Sequence, residues 1–339
     1  MSRWLRWLLA GTLAAFGLAA AAACGGDDDD GGGGSEKLEP VTFMLNWTPN
    51  TYHSGMYIAL DRGWYRDAGL DVKIIEPAAG GTAQVLAAGQ ADFGIMEQEA
   101  VIPARAEGVP VVALAALIQH NDSSLYFLRS EGITRPRDLE GKTYGGFGGV
   151  LERQLISELV KCDGGDPSKI KFVEVGNVDY LSGMEQNRFD FVWVFEFWDV
   201  MRAKEVEKKD VGSLKFIDYT NCIPDWYTPL LVTSERMIKE KPEVVRKFME
   251  ATVRGFEVAM EDPQAAADAI MKGAPESDRT LLEVSAEYLS TRYVDPGRPW
   301  GLQDREVWVR FTEYLKRAGL IEKDIDVDAA FTNEFLPKR

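Results

Sequence analysis

From residue 41 onward, short apolar runs alternate with stretches whose apolar positions recur at helical spacing. The runs at 41–46, 71–75, 93–96 and 109–117 read as strands, and the segments at about 54–68, 81–88 and 98–107 read as helices between them. Strands that are apolar on both faces fit a mostly parallel sheet covered by helices on either side. A second series follows: an apolar run at 125–128, a helix at about 150–162, a strand at 171–175, a helix at about 178–187 and a strand at 189–198. The chain then passes through Trp226-Tyr227-Thr228-Pro229 into another apolar run, 230–232, and becomes mostly helical. Lys241-Pro242 and Asp262-Pro263 each mark a helix start. Val307, Trp308, Phe311 and Leu315 share one face of a helix over 304–318. The pattern predicts an α/β protein of two lobes, one from 41–129 with 230–339 and the other from 130–229, joined by two crossings.

In open α/β sheets ligands bind where strand ends turn into helices. The first strand here ends in Asn46-Trp47-Thr48-Pro49-Asn50-Thr51-Tyr52-His53-Ser54-Gly55. Trp47 and Tyr52 offer flat faces, Asn46 and Asn50 offer paired donors and acceptors, and His53 is one of only two histidines in the chain. Those five residues form the core of the expected site. The glycine-rich run around Gly146, over 145–149 ahead of a helix, suggests backbone N–H groups aimed at a ligand oxygen. The segment Phe191-Val192-Trp193-Val194-Phe195-Glu196-Phe197-Trp198-Asp199 places an acid inside an apolar strand, which is costly unless the acid meets a donor. Glu196 is therefore expected to read a ligand N–H, with Trp193 and Tyr227 as further walls. Glu97 and Glu99 raise the same question at the end of the strand 93–96.

Charge and termini narrow the class. With 38 basic and 54 acidic side chains the formal charge is −16, a poor match to nucleic acid. Residues 1–23 carry Arg3 and Arg6, an apolar segment and small residues before Cys24, the layout of a signal peptide ending at a lipidated cysteine. Residues 24–40, with four consecutive aspartates and a glycine run, read as a disordered tether. Cys162 and Cys222 remain, and their spacing leaves open whether they pair. Among the patterns sought, G-x-S-x-G, H-E-x-x-H, a phosphate loop and zinc spacing are all missing, so no catalytic residue, metal or cofactor is expected.

The 46–55 motif, together with Gly63-Trp64-Tyr65, Gly69-Leu70-Asp71-Val72, Ala91-Asp92-Phe93-Gly94 and Gly141-Lys142-Thr143-Tyr144-Gly145-Gly146, resembles the NMT1/THI5-like family. The resemblance implies a type II periplasmic-binding-protein fold that closes on its ligand by hinge motion. It also implies a lipid-anchored, extracytoplasmic substrate-binding protein that serves an ABC permease and its ATPase. Trp47 and Asn50 fall in the motif that lines the family's cleft, with His53 beside them. The family's enzyme branch, which makes the thiamine pyrimidine, carries a cysteine-rich motif not found here. The aromatic surface of Trp47, Tyr52, Trp193, Phe195, Trp198, Trp226 and Tyr227 favours riboflavin as ligand, with a thiamine pyrimidine precursor as the alternative.

Overall fold

The computed structural model describes residues 37–77 and 81–338. The expected signal peptide, Cys24 and most of the tether lie outside the described residues. Among the described residues, ten strands form two five-stranded sheets. The first sheet has the order β2-β1-β3-β10-β4, built from β1 (Glu39–Met44), β2 (Leu70–Ile75), β3 (Phe93–Met96), β4 (Val111–Ala116) and β10 (Leu230–Ser234). The second has the order β7-β6-β8-β5-β9, built from β5 (Ser123–Leu128), β6 (Thr143–Gly146), β7 (Lys171–Glu174), β8 (Phe191–Phe195) and β9 (Val211–Lys215). Helices cover the sheets, as the doubly apolar runs require.

Each sheet contains one reversed strand. β10 runs antiparallel to β3 and β4, and β5 runs antiparallel to β8 and β9. These are the two strands that follow a crossing. A chain that leaves one sheet at the carboxyl ends of its strands and enters a facing sheet at the corresponding edge must run against its new neighbours. The crossings are residues 117–122 and the segment between β9 and β10. The run at 125–128 thus belongs to the second sheet, and the first crossing lies earlier than the expected break at 129. β1 likewise starts at Glu39, paired with Leu70, so the strand reaches into the segment expected as tether.

The predicted helices are present with shorter bounds. The 54–68 segment splits into Ser54–Asp61 and Trp64–Asp67, while Val150–Cys162 matches its expectation. The long helix Pro242–Glu261 is held against the first sheet by Phe248, whose ring stacks on Phe93 with centroids 3.9 Å apart. It meets the helix Ser54–Asp61 at two glycines: a Cβ on Gly255 would lie 1.9 Å from the Gly55 carbonyl oxygen. Gly55 therefore serves a close backbone approach between helices, and that contact fixes the start of the helix that follows the site loop. Cys162 and Cys222 form a disulfide that ties the helix Val150–Cys162 to the turn after β9.

Candidate functional site

The loop after β1 is organised by hydrogen bonds before any ligand is considered. Asn50 caps the short turn Thr51–His53, its Oδ1 accepting from the Tyr52 N–H at 3.0 Å. The Asn50 N–H donates to His53 Nδ1 at 3.1 Å, which makes that ring nitrogen an acceptor and assigns the imidazole proton to Nε2. His53 Nε2 then donates to Asn46 Oδ1 at 3.1 Å, so the Asn46 amide must turn its NH2 outward, where it donates to Glu97 Oε1 at 2.7 Å. His53 is fully buried, and burial pushes its pKa down to about 3, so it is a neutral relay at ordinary pH. Burial also raises the Glu97 pKa, opposed by the hydrogen bond from Asn46.

Glu97 and Asn46 open onto a cleft of about 550 Å3 between the carboxyl ends of the two sheets. Trp47, Asn50 and Tyr52 border it from the first sheet, and Phe147, Asn177 and Tyr180 from the second. Trp193, Phe195, Phe197 and Trp198 add further aromatic rings to its lining. Trp47 and Phe147 are 44% and 55% exposed, unusual for large apolar side chains and consistent with positions at a mouth. Tyr52 packs on Phe197 with ring centroids 3.8 Å apart, joining residues that follow strands of different sheets. The polar end of the cleft holds Arg202, 5.7 Å from the Trp198 ring, and Asp199, whose pKa burial pushes up to about 6. Asn46 and Glu97 also border an adjoining, mainly apolar hollow of about 520 Å3, lined in part by Met44, Met96 and Pro103.

Of the expected site residues, Asn46, Trp47, Asn50, Tyr52 and Trp193 are thus brought together. The other four sit behind the walls. His53 spends both ring nitrogens inside the loop. Gly146 is buried, and a Cβ there would collide with the Tyr144 ring at 2.4 Å. Two of the N–H groups expected to form an oxygen-binding nest are already engaged: Glu152 accepts from Phe147 N at 3.1 Å and Gly149 N at 2.9 Å. Tyr227 is buried, its hydroxyl accepting from Asp304 N at 2.8 Å, and the neighbouring Trp226 stacks on Phe311 with centroids 4.8 Å apart. Glu196 is buried away from the cleft, with Oε1 unpartnered and Oε2 3.8 Å from Lys215 Nζ. Two of the aromatics counted toward riboflavin are therefore core, and the excess of stacking surface that favoured it shrinks.

Several bordering residues were not foreseen, among them Phe147, Asn177, Tyr180 and Arg202. Phe147 was the legible one, because it follows a strand directly ahead of a helix. Asn177 and Tyr180 come from the turn between β7 and the helix Tyr180–Glu185, and Arg202 from the chain after β8, where two π-helical turns, Glu196–Val200 and Arg202–Val206, replace the expected strand end. Such wide turns are rare and concentrate at functional sites. His120 joins the two crossings and the C-terminal region: Nδ1 lies 2.6 Å from Asp225 and Nε2 3.1 Å from Asp295.

Comparison with known proteins agrees with this architecture. The family described as NMT1/THI5 like matches residues 50–266. A formylaminopyrimidine-binding protein from Halalkalibacterium halodurans is 28% identical over 306 residues, covering 88% of this chain and 91% of the relative. A 4-amino-5-hydroxymethyl-2-methylpyrimidine phosphate synthase from Legionella pneumophila is 24% identical over 312 residues, covering 88% and 92%. Among solved structures, the periplasmic aliphatic sulphonate binding protein of Escherichia coli superposes with a TM-score of 0.64 at 15% identity, covering 89% of this chain and 94% of that one. The fold is that of the periplasmic binding proteins.

Proposed function

This chain belongs to the NMT1/THI5-like family, and on that premise we propose that it is the substrate-binding protein of an ABC importer for an aminopyrimidine precursor of thiamine, of the formylaminopyrimidine type. The observation that carries this reading is the cleft itself, where aromatic faces from both sheets surround a fixed carboxyl–amide pair, Glu97 and Asn46. Flat walls with one polar edge suit a small heterocycle, which stacks between the rings and hydrogen-bonds at its rim. The similarity to the Halalkalibacterium protein supports the same ligand class. Riboflavin, the ligand first expected, has less support, since Trp226 and Tyr227 lie in the core.

Similarity to the Legionella synthase makes an enzyme the second reading. Against it stands His53, whose two ring nitrogens are committed within the loop and which presents neither to the cleft. The cysteines also speak against it, because Cys162 and Cys222 are joined to each other. The proposed setting is the extracytoplasmic face of a cell membrane, with Cys24 lipidated and the closed protein docking on a permease. Cys24→Ala should move the protein from the membrane fraction to the soluble one and leave ligand affinity unchanged.

A thermal-shift and calorimetry series with formylaminopyrimidine, hydroxymethylpyrimidine, thiamine and riboflavin tests the ligand. Ligand at a hundred times its Kd should stabilise the folded protein by about 2.7 kcal/mol. Stabilisation by riboflavin alone would overturn the aminopyrimidine reading, and turnover of a pyrimidine product would overturn the transport reading.

A further inference from the structure

We propose that Glu97 is the specificity-determining residue of the cleft, pairing through both carboxyl oxygens with the amino group and adjacent ring nitrogen of an aminopyrimidine. The proposal rests on the aminopyrimidine reading of the cleft and goes beyond it by assigning the recognising group and its hydrogen-bond polarity.

The argument begins at the backbone. The Asn50 N–H can only donate, so it fixes the His53 tautomer, His53 fixes the Asn46 amide, and the Asn46 NH2 fixes Glu97 Oε1 as an acceptor. Four groups in series thus set one carboxyl group without any choice left at an intermediate step. Oε1, which accepts from Asn46, is the carbonyl-type oxygen of the pair, and in the acid form the proton falls to Oε2. An aminopyrimidine edge presents a donor, the NH2, beside an acceptor, the ring nitrogen lone pair. A carboxylate would offer two acceptors to that edge and repel the lone pair. A carboxylic acid offers one acceptor and one donor, which closes a ring of two hydrogen bonds: amino N–H to Oε1, and Oε2–H to the ring nitrogen. No bond is broken and one proton is shared.

The surroundings work against the charged form. Glu97 follows an apolar strand, burial raises its pKa against the hydrogen bonds from Asn46 and from its own N–H, and no cation is paired with it among the described residues. The other titratable groups around it are Glu99, held by Trp226 Nε1 at 2.7 Å and itself pushed up to about 8, Tyr52, whose pKa burial also raises, and the neutral His53. Elsewhere in the same two cavities, Asp199, Glu207 and Glu107 add only negative charge, and Arg202, the one cation lining the cleft among the described residues, sits over the Trp198 ring and forms no ion pair with Glu97.

The test uses the folded, full-length protein and two variants, Glu97→Gln and Glu97→Leu, in calorimetry with formylaminopyrimidine and with the analogue that lacks the ring amino group. Gln reproduces an acceptor at the Oε1 position and a donor at the Oε2 position, so Glu97→Gln should bind within about threefold of the parent. Glu97→Leu should lose roughly ten- to a hundredfold, as expected for two buried hydrogen bonds. The parent should prefer the amino ligand to the deaminated one by a similar factor, and Glu97→Leu should not. Affinity of the parent should fall at alkaline pH while that of Glu97→Gln stays flat, with Glu99 common to both proteins. If the parent binds the aminopyrimidine and Glu97→Leu binds it equally well with equal discrimination, the assignment of Glu97 is wrong and the ligand class stands. If Glu97→Gln is as weak as Glu97→Leu, the acid polarity is wrong. If the parent binds no aminopyrimidine, the ligand class falls and this assignment with it.

Discussion

His53 is the residue whose role changes most between sequence and structure, and its burial makes a quantitative prediction. An imidazole with an ordinary pKa of 6.5 in the unfolded chain falls to about 3 in the folded protein because burial opposes its charged form. Between those values the unfolded state binds a proton that the folded state refuses, so His53 removes stability as pH falls below about 6.5. Each pH unit is worth about 1.4 kcal/mol, so acidification from pH 7 to 5 should cost about 2 kcal/mol through this group alone. Other buried groups act in the opposite sense: Asp122 is pushed up to about 7 and Asp199 to about 6, so their folded forms hold protons that the unfolded forms release. A raw stability curve would therefore mix the two trends. The difference between the parent and His53→Gln isolates the histidine, because the acids are common to both. At pH 7 the variant should be less stable by about 1–3 kcal/mol, since Asn50 N–H or Asn46 Oδ1 loses its partner. By pH 5 that gap should have closed by about 2 kcal/mol. Urea unfolding of both proteins at pH 7, 6 and 5 measures it, and a gap that stays constant across the three would refute the buried neutral relay.

Trp47→Ala should weaken ligand binding more than tenfold by calorimetry while changing urea stability by no more than about 0.5 kcal/mol, because the side chain is 44% exposed and lies at the mouth of the cleft. Glu196→Gln should leave affinity within about twofold of the parent, since Glu196 faces Lys215 and not the cleft; a loss of tenfold or more would restore it as a ligand contact. Replacing Cys162 and Cys222 by serine should lower stability by about 2–4 kcal/mol in denaturant titration, the range for a disulfide closing a loop of this size, with a sequence separation of 60.

The strands were legible because a sheet buried on both faces leaves a plain record, a short apolar run, and the site loop was legible because such a run there turned directly into a helix. Direction and lobe were not. The run 125–128 looks the same whether its strand closes the first sheet or opens the second, and nothing in Ser123–Leu128 says that it runs against β8 and β9. The aromatics fail for a related reason. Trp226 and Phe147 have similar claims by composition, yet one is stacked on Phe311 in the core and the other is exposed at the cleft. Side-chain chemistry says what a residue can bury against, and only the three-dimensional path says whether that partner is protein or ligand. In the glycine loop a missed signal was present: Gly149 followed three residues later by Glu152 has the spacing of a helix capping box, and its glutamate half takes up the Phe147 and Gly149 N–H groups from within.

The segment after β8 shows how one local rule can be right and its extension wrong. Strand alternation puts Trp193 and Phe195 on one face, and both border the cleft. Carried one step further, the same period gives Glu196 to the opposite face, and the cost of burying an acid then argues that it meets a ligand donor. The backbone stops being a strand at Phe195, however, and winds into π-helical turns, pinned where the Phe197 N–H donates to Asp122 Oδ2 at 2.8 Å. From that point the spacing is helical, and Phe197, Trp198 and Asp199 all reach the cleft while Glu196 turns inward. The acid's neighbour there is Lys215 at the end of β9, on the far side of β5 from β8. The inference that a buried acid needs a partner was sound, but it could not name the partner, because pairing across an antiparallel strand is set by sheet order and leaves no trace in the spacing of residues along either strand. Asn46 and Glu97 escape that limit only in part: each ends a strand beside a helix start, so both positions were readable, but the hydrogen bond that joins them exists because β1 and β3 are neighbours.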